Sequence, residues 1–118
     1  MSRPIKLVLD CHDPTALVEF WAEALDYTVL GGVENYTLLV AEDTGAQLLL
    51  QKVSEPKAGK NRMHLDITCA DVPGEVARLE ALGARRISND VGEHGMHWVV
   101  LADPEGNEFC VCDGGQTA

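Results

Sequence analysis

The sequence predicts an α+β fold, two tandem βαβββ modules whose mixed sheets curve into a cup, and three observations carry that prediction. Ile5–Cys11, followed by a helix start at Asp13, recurs as Met63–Cys69 followed by a helix start at Asp71, a constant offset of 58 residues in a chain of 118. Both copies of that opening segment alternate apolar and polar residues, the period of a strand with one oily face. Each is followed by a segment whose apolar residues recur at helical spacing.

Ile5, Leu7, Leu9 and Cys11 fall on one face of the first strand, with Lys6, Val8 and Asp10 on the other. Asp13 is a good N-cap and Pro14 suits the first helical position, after which Leu17, Phe20, Trp21 and Leu25 share one side of a helix. Trp21 is therefore read as core. Strands are expected at about residues 27–31, 36–42 and 47–53, the last two joined by the turn Asp43-Thr-Gly45. Ser54-Glu-Pro-Lys-Ala-Gly-Lys-Asn61 is polar and rich in breakers, hence a linker.

The second module repeats the scheme. Met63, Leu65, Ile67 and Cys69 oppose His64, Asp66 and Thr68, and the helix opening at Asp71 carries Val72, Val76, Leu79 and Leu82 before stopping at Gly83. Strands follow at about residues 85–89, 97–102 and 108–113, with Gly92-Glu-His-Gly95 as a flexible stretch and Asp103-Pro-Glu-Gly-Asn107 as the last turn. A module of about 59 residues buries only about 60% of its unfolded surface. One domain over residues 1–118 is expected, with modules at about 5–53 and 62–113 and the linker at 54–61.

Composition bounds the partners. Acidic residues outnumber Lys and Arg by 19 to 9, a formal charge of −10, which argues against nucleic acid and anionic membrane surfaces. Such acidity steers cationic ligands and also serves plain solubility. No signal peptide or membrane span is legible at the start, and Cys11, Cys69, Cys110 and Cys112 lie in expected strands without a CxxC pair. A cytoplasmic location is expected, with Cys11 and Cys69 as small buried hydrophobes.

With helices covering the oily faces, the polar faces line the cup. Gln47, Leu49 and Gln51 share one face of the first module's closing strand, and Glu108, Cys110 and Cys112 the corresponding face of the second. A pocket with a few convergent polar groups is the default small-molecule site. The tandem βαβββ pattern, the segment Lys60-Asn-Arg-Met-His-Leu-Asp-Ile67, the helix end Leu79-Glu-Ala-Leu-Gly83 and the hairpin Asp103-Pro-Glu-Gly-Asn-Glu-Phe109 resemble the vicinal oxygen chelate superfamily. More narrowly, they are similar to its glyoxalase-like branch, which includes glyoxalase I and bleomycin-resistance proteins. The resemblance spans nearly the whole chain, although the turn marks fold rather than activity.

That resemblance implies a divalent ion, zinc, nickel, manganese or iron, held by side chains of the first and last strands of both modules, and a homodimer. The first-strand positions are Lys6 and His64; the closing-strand positions are Leu49 or Gln51, a register left open, and Cys110. Of the first-strand pair only His64 is ligand-competent, and none of the closing-strand residues is a carboxylate, so the sequence departs from the family's pattern at three of four positions. An ammonium beside a divalent cation is repulsive, so no metal is favoured. If one binds, His64, Gln51 and Cys110 would hold a soft ion, with Asp66 or His97 completing the shell.

The metal-free alternative makes His64 and Lys6 the catalytic or charge-bearing groups, with Asp10, Gln51, Asp66, His97, Trp98 and Cys110 as ligand-binding residues. Cys110 with His64 also admits a nucleophile and base reading, for which the sequence identifies no third orienting group. His12 is read as a loop residue, Asn61 and Arg62 as solvated linker at the rim, and the stretch around His94 as a loop able to bring His97 and Trp98 to a ligand. Three functions follow: a small-molecule binding protein, a glyoxalase-type lyase or isomerase, and a dimeric interaction module without chemistry.

Overall fold

The computed structural model describes residues 6–59, 61, 63–93 and 95–113, so Ile5, Lys60, Arg62 and His94 lie outside the described residues. The chain divides into two compact units, Met1–Ala58 and Gly59–Ala118, each built on one repeat. Strands β1 (Lys6–Cys11), β2 (Thr28–Val33), β3 (Tyr36–Val40) and β4 (Gln47–Lys52) and helix α1 (Pro14–Leu25) form the first. The second holds β5 (Asp66–Thr68), α2 (Val72–Leu82), β6 (Arg85–Arg86), β7 (Val91–Glu93), β8 (Met96–Ala102) and β9 (Glu108–Cys112). Both sheets are mixed, so the α+β prediction holds. Among the described residues no helix is long and apolar enough to cross a membrane.

In the first unit the sheet order is β1-β4-β3-β2, with β1 parallel to β4 and the other pairs antiparallel. A parallel pair needs a crossover, and α1 supplies it. Asp13 starts α1 by accepting the amides of Thr15 (3.1 Å) and Ala16 (3.4 Å). Leu17, Phe20, Trp21 and Ala24 are buried, and Phe20 meets Trp21 edge to face with ring centroids 5.1 Å apart. These side chains, with Leu39, Leu48 and Leu50 from the sheet, form the first core. Fully burying a Leu or Phe side chain contributes about 1.5–3 kcal/mol. The helix stops at Asp26 in the left-handed region, its amide donating to the Ala22 carbonyl.

The second unit keeps that plan with one departure. β5 lies parallel to β9, β9 antiparallel to β8, and both β6 and β7 pair with β8. The expected strand at residues 85–89 is cut after Arg86, because the Ser88 hydroxyl takes the Val100 amide at 3.0 Å in place of a ladder carbonyl. The segment expected to be a flexible stretch instead opens with β7, whose Gly92 faces His97. A Cβ at Gly92 would come within 3.0 Å of the His97 ring, so glycine lets the imidazole lie on the strand.

α2 opens at Asp71, whose carboxylate accepts the Gly74 amide at 3.1 Å, and buries Val72, Val76 and Leu79 against Val99, Leu101, Phe109 and Val111. It ends at Gly83, where φ is 121°, a conformation that suits only glycine. The last turn is tied by Asp103, 3% exposed, which accepts the amides of Glu105 and Asn107 and the Asn107 side chain at 2.8–2.9 Å. Met63, expected on the oily face, is 78% exposed, because pairing begins only at Asp66 and leaves Met63 outside the packed sheet. Cys11 is buried as expected, whereas Cys69 lies just past β5 and is half-buried.

Candidate functional site

Residues directly opposite in a ladder share a face, which assigns every candidate to a side of its sheet. In the first unit Lys6, Val8 and Asp10 face Gln47, Leu49 and Gln51 across β1 and β4, on the side away from α1. Lys6 and Asp10 are exposed and Gln51 half-buried. Leu30, Val33, Tyr36, Leu38 and Leu49 line an open groove of about 400 Å³ on this unit. Its open face is thus mainly apolar.

In the second unit Asp66 faces Cys110 and Thr68 faces Cys112 across β5 and β9, while Val100 and Trp98 face the same two cysteines from β8. Asp66, Thr68, Trp98, Val100, Cys110 and Cys112 therefore share one face, and the intervening Val99, Leu101 and Val111 are buried on the other. His64 precedes β5, yet the chain stays beside β9 because the Leu65 carbonyl accepts the Cys110 amide at 2.8 Å. Asn61, read from sequence as solvated linker, donates its side-chain amide to the Glu108 carbonyl at 2.8 Å and helps to hold that approach.

The result is a cluster. Nε2 of His64 lies 3.1 Å from Oδ1 of Asp66, and the donor atoms of His64, Asp66 and Cys110 all lie within 4.8 Å of one another. The His64 and Asp66 side chains are 50% and 56% exposed, and Cys110 is half-buried, so a ligand can reach all three. Glu108 lies two residues from Cys110 on the same strand, hence on the same face, and among the described residues its Oε1 is buried with no hydrogen-bond partner. Cys69 differs: burial first, then the nearby Glu75 carboxylate, pushes its thiol above the usual value.

His97 does not join the cluster, which corrects the expectation that it completes a shell there. Alternation along β8 turns it to the side of Val99, and it lines a separate crevice of about 240 Å³ with Arg86, Asp90 and Asp113 near the start of α2. Its Nδ1 is 3.6 Å from the Asp90 carboxylate and its amide donates to Asp113 at 3.2 Å. Trp98, one residue on, points to the opposite face.

The two registers fix the closing-strand position that the sequence left open. The repeat offset lays Asp66 on Val8, so Cys110 is the counterpart of Leu49, and Cys112 of Gln51. A divalent ion of the kind the resemblance implies does not fit these positions. The first module offers Lys6, which has donors but no acceptor, and Leu49, which has neither. His64, Asp66 and Cys110 are the remaining donor set within 4.8 Å among the described residues, and their types suit a soft ion. Gln51, placed with them by sequence reasoning, is the counterpart of Cys112 rather than of Cys110.

Sequence reasoning did not place Val100 or the Asn61 tie in the site. Val100 was legible by alternation from Trp98; the Asn61 contact joins residues 47 positions apart, and no local pattern encodes it.

A family model described as a glyoxalase-like domain matches residues 6–112. No curated protein matches the chain. Among solved structures, a glyoxalase/bleomycin resistance protein/dioxygenase family enzyme from Burkholderia phytofirmans is 15% identical with a TM-score of 0.78, covering 91% of this chain and 94% of its own. A mutant fosfomycin resistance protein from Listeria monocytogenes, complexed with manganese(II) and a dihydroxypropylphosphonic acid, is 12% identical with a TM-score of 0.80, covering 97% and 91%. A glyoxalase/bleomycin resistance protein/dioxygenase superfamily member from Sphaerobacter thermophilus is 14% identical with a TM-score of 0.75, covering 95% and 97%. At such identities the likeness concerns the fold.

Proposed function

Because the chain belongs to the glyoxalase-like domain family, we propose that it is a binding protein for a small organic molecule, seated on an open sheet face without a resident metal. One observation carries this reading: the first module presents Lys6 and Leu49 where the second presents His64 and Cys110. A lysine is tolerated beside a ligand, but not beside a divalent ion. The apolar groove around Leu38 and Leu49 favours a planar compound, and the charge of −10 favours a neutral or cationic one.

A thermal-shift screen of planar neutral and cationic compounds tests it. Binding to the native state alone raises stability by about 2.7 kcal/mol at a hundredfold excess over Kd. A broad library of this type that leaves the melting temperature unmoved would count against the reading.

The 3.1 Å contact between His64 and Asp66 favours a second reading, a lyase or isomerase in which this imidazole moves a proton and Asp66 orients it. Turnover that survives His64→Ala would exclude it. A homodimer goes with either reading, and light scattering measures it. The four cysteines form no disulfide, which supports a reducing, cytoplasmic setting.

A further inference from the structure

We infer that Cys110 is a nucleophilic thiol, served by His64 as proton acceptor and Asp66 as its orienting group, and that it adds to a neutral, planar α,β-unsaturated carbonyl compound on the open face of the second unit's sheet. The inference rests on the small-molecule reading above and names the ligand class.

The geometry supplies the third group that the sequence did not. A working nucleophile needs a base within reach and a second group that orients the base. Asp66 Oδ1 lies 3.1 Å from Nε2 of His64 and so orients the imidazole that takes the thiol proton. The sulfur of Cys110 belongs to the same cluster, within 4.8 Å. Backbone register keeps it there, since Asp66 faces Cys110 directly and the Cys110 amide is tied to Leu65.

The other three cysteines lack this setting. Cys11 is 2% exposed. The Cys69 thiol is pushed up by burial first and then by Glu75. Cys112 has the Thr68 hydroxyl beside its sulfur, at 4.0 Å, where Cys110 has the His64 imidazole.

The neighbours of Cys110 define the ligand. Across β8 stand Val100 and, one pair along, Trp98, an apolar strip with no charged side chain on which a flat conjugated molecule can lie. From β5 comes Asp66, preceded by His64, and on β9 itself Glu108 and Cys112 flank the thiol on the same face. Two carboxylates beside the sulfur repel an anionic ligand and leave a neutral one unopposed. A polarisable sulfur pairs with a soft carbon electrophile.

The step balances without an oxidant. The thiol proton passes to the His64 imidazole as the sulfur lone pair forms an S–C bond at the β-carbon. The C=C pair shifts to the α-carbon, which then takes the proton from His64. The product is a saturated carbonyl compound joined to the chain by a thioether, and reversal releases the ligand unchanged.

Benzylideneacetone is a suitable probe and its saturated analogue, benzylacetone, a ligand that sulfur cannot attack. Intact-protein mass spectrometry with peptide mapping should show one adduct, on Cys110, forming at pH 7 at least about tenfold faster than on Cys112, with a rate that saturates in probe and is slowed by benzylacetone. His64→Gln should lower that rate by on the order of a hundredfold, the lower end of general-base effects. It should also move the pH profile up toward that of an ordinary thiol, about 8.5. Asp66→Asn should lower the rate less, and the Cys112 rate within each variant controls for folding. Labelling of Cys110 no faster than Cys112, or a rate and pH profile indifferent to His64→Gln, would overturn the inference. Fast, His64-dependent labelling that grows linearly with probe and ignores benzylacetone would instead sink the ligand-binding reading and leave the activated thiol standing.

Discussion

The two modules share a backbone plan and differ on one face. On the helix side both are built alike: Leu39 and Leu48 in the first unit have Leu101 and Phe109 as register counterparts in the second, all buried. On the open side Lys6 has become His64, Val8 has become Asp66, and Leu49 has become Cys110. Close packing leaves little room for change on the helix side, whereas a solvated face is free of that constraint. The fold therefore repeats while the chemistry does not. His64, Asp66 and Cys110 gather on the second unit's sheet, and the first presents an apolar groove bordered by amides and single charges.

Paired substitutions test that division most strongly. Leu39→Ala and Leu101→Ala, at fully buried sites, should each cost about 2–5 kcal/mol in denaturant unfolding. Leu38→Ala and Val100→Ala, one residue away on the open faces, should cost about 1 kcal/mol or less. Equal losses on the two sides would mean that the open faces are as tightly packed as the helix faces.

The closing turns differ next. Asp43 is exposed in the first module, whereas Asp103 is buried and receives three hydrogen bonds in the second. Leaving those donors unmatched should make Asp103→Ala cost about 2–3 kcal/mol, against about 0.5 kcal/mol or less for Asp43→Ala. Similar melting curves for the two variants would remove this asymmetry.

The smallest effect is electrostatic. The first turn of α1 carries no acid, but Glu75 of α2 accepts both a 2.8 Å bond from Arg78 Nε and one from Nη2. That hydrogen bonding holds the Glu75 carboxyl below its ordinary value. A depressed carboxyl stabilises the fold above the unfolded-state value, about 4.3, and the contribution is lost as pH falls through the lower folded value. With Arg78 44% exposed, solvent limits the gain to under about 1 kcal/mol. Glu75→Gln should therefore show a small loss at pH 7 that disappears in acid; a loss independent of pH would point to packing instead.

Much of the fold was legible because it rests on local or periodic signals. The offset of 58 gave the repeat, Asp13 and Asp71 the helix starts, and alternation the faces of β1, β4 and β9. The break between β6 and β7 was not, because it depends on one hydroxyl, that of Ser88, displacing a ladder bond. The site was legible in part. His64, Asp66 and Cys110 were named from face and resemblance, but only the register showed that Cys110 corresponds to Leu49. His97 lies in β8, and alternation along that strand turns it toward Val99 and away from Cys110, a frame that the sequence already carried.

Native mass spectrometry on protein purified without chelator, repeated after adding Zn²⁺, Ni²⁺, Mn²⁺ or Fe²⁺ and dialysing, tests the proposal that this chain holds no resident divalent ion. With Lys6 and Leu49 at two of the four positions, less than one ion should be retained per chain, with no gain in melting temperature. One tightly held ion per chain, accompanied by a rise in melting temperature, would contradict it.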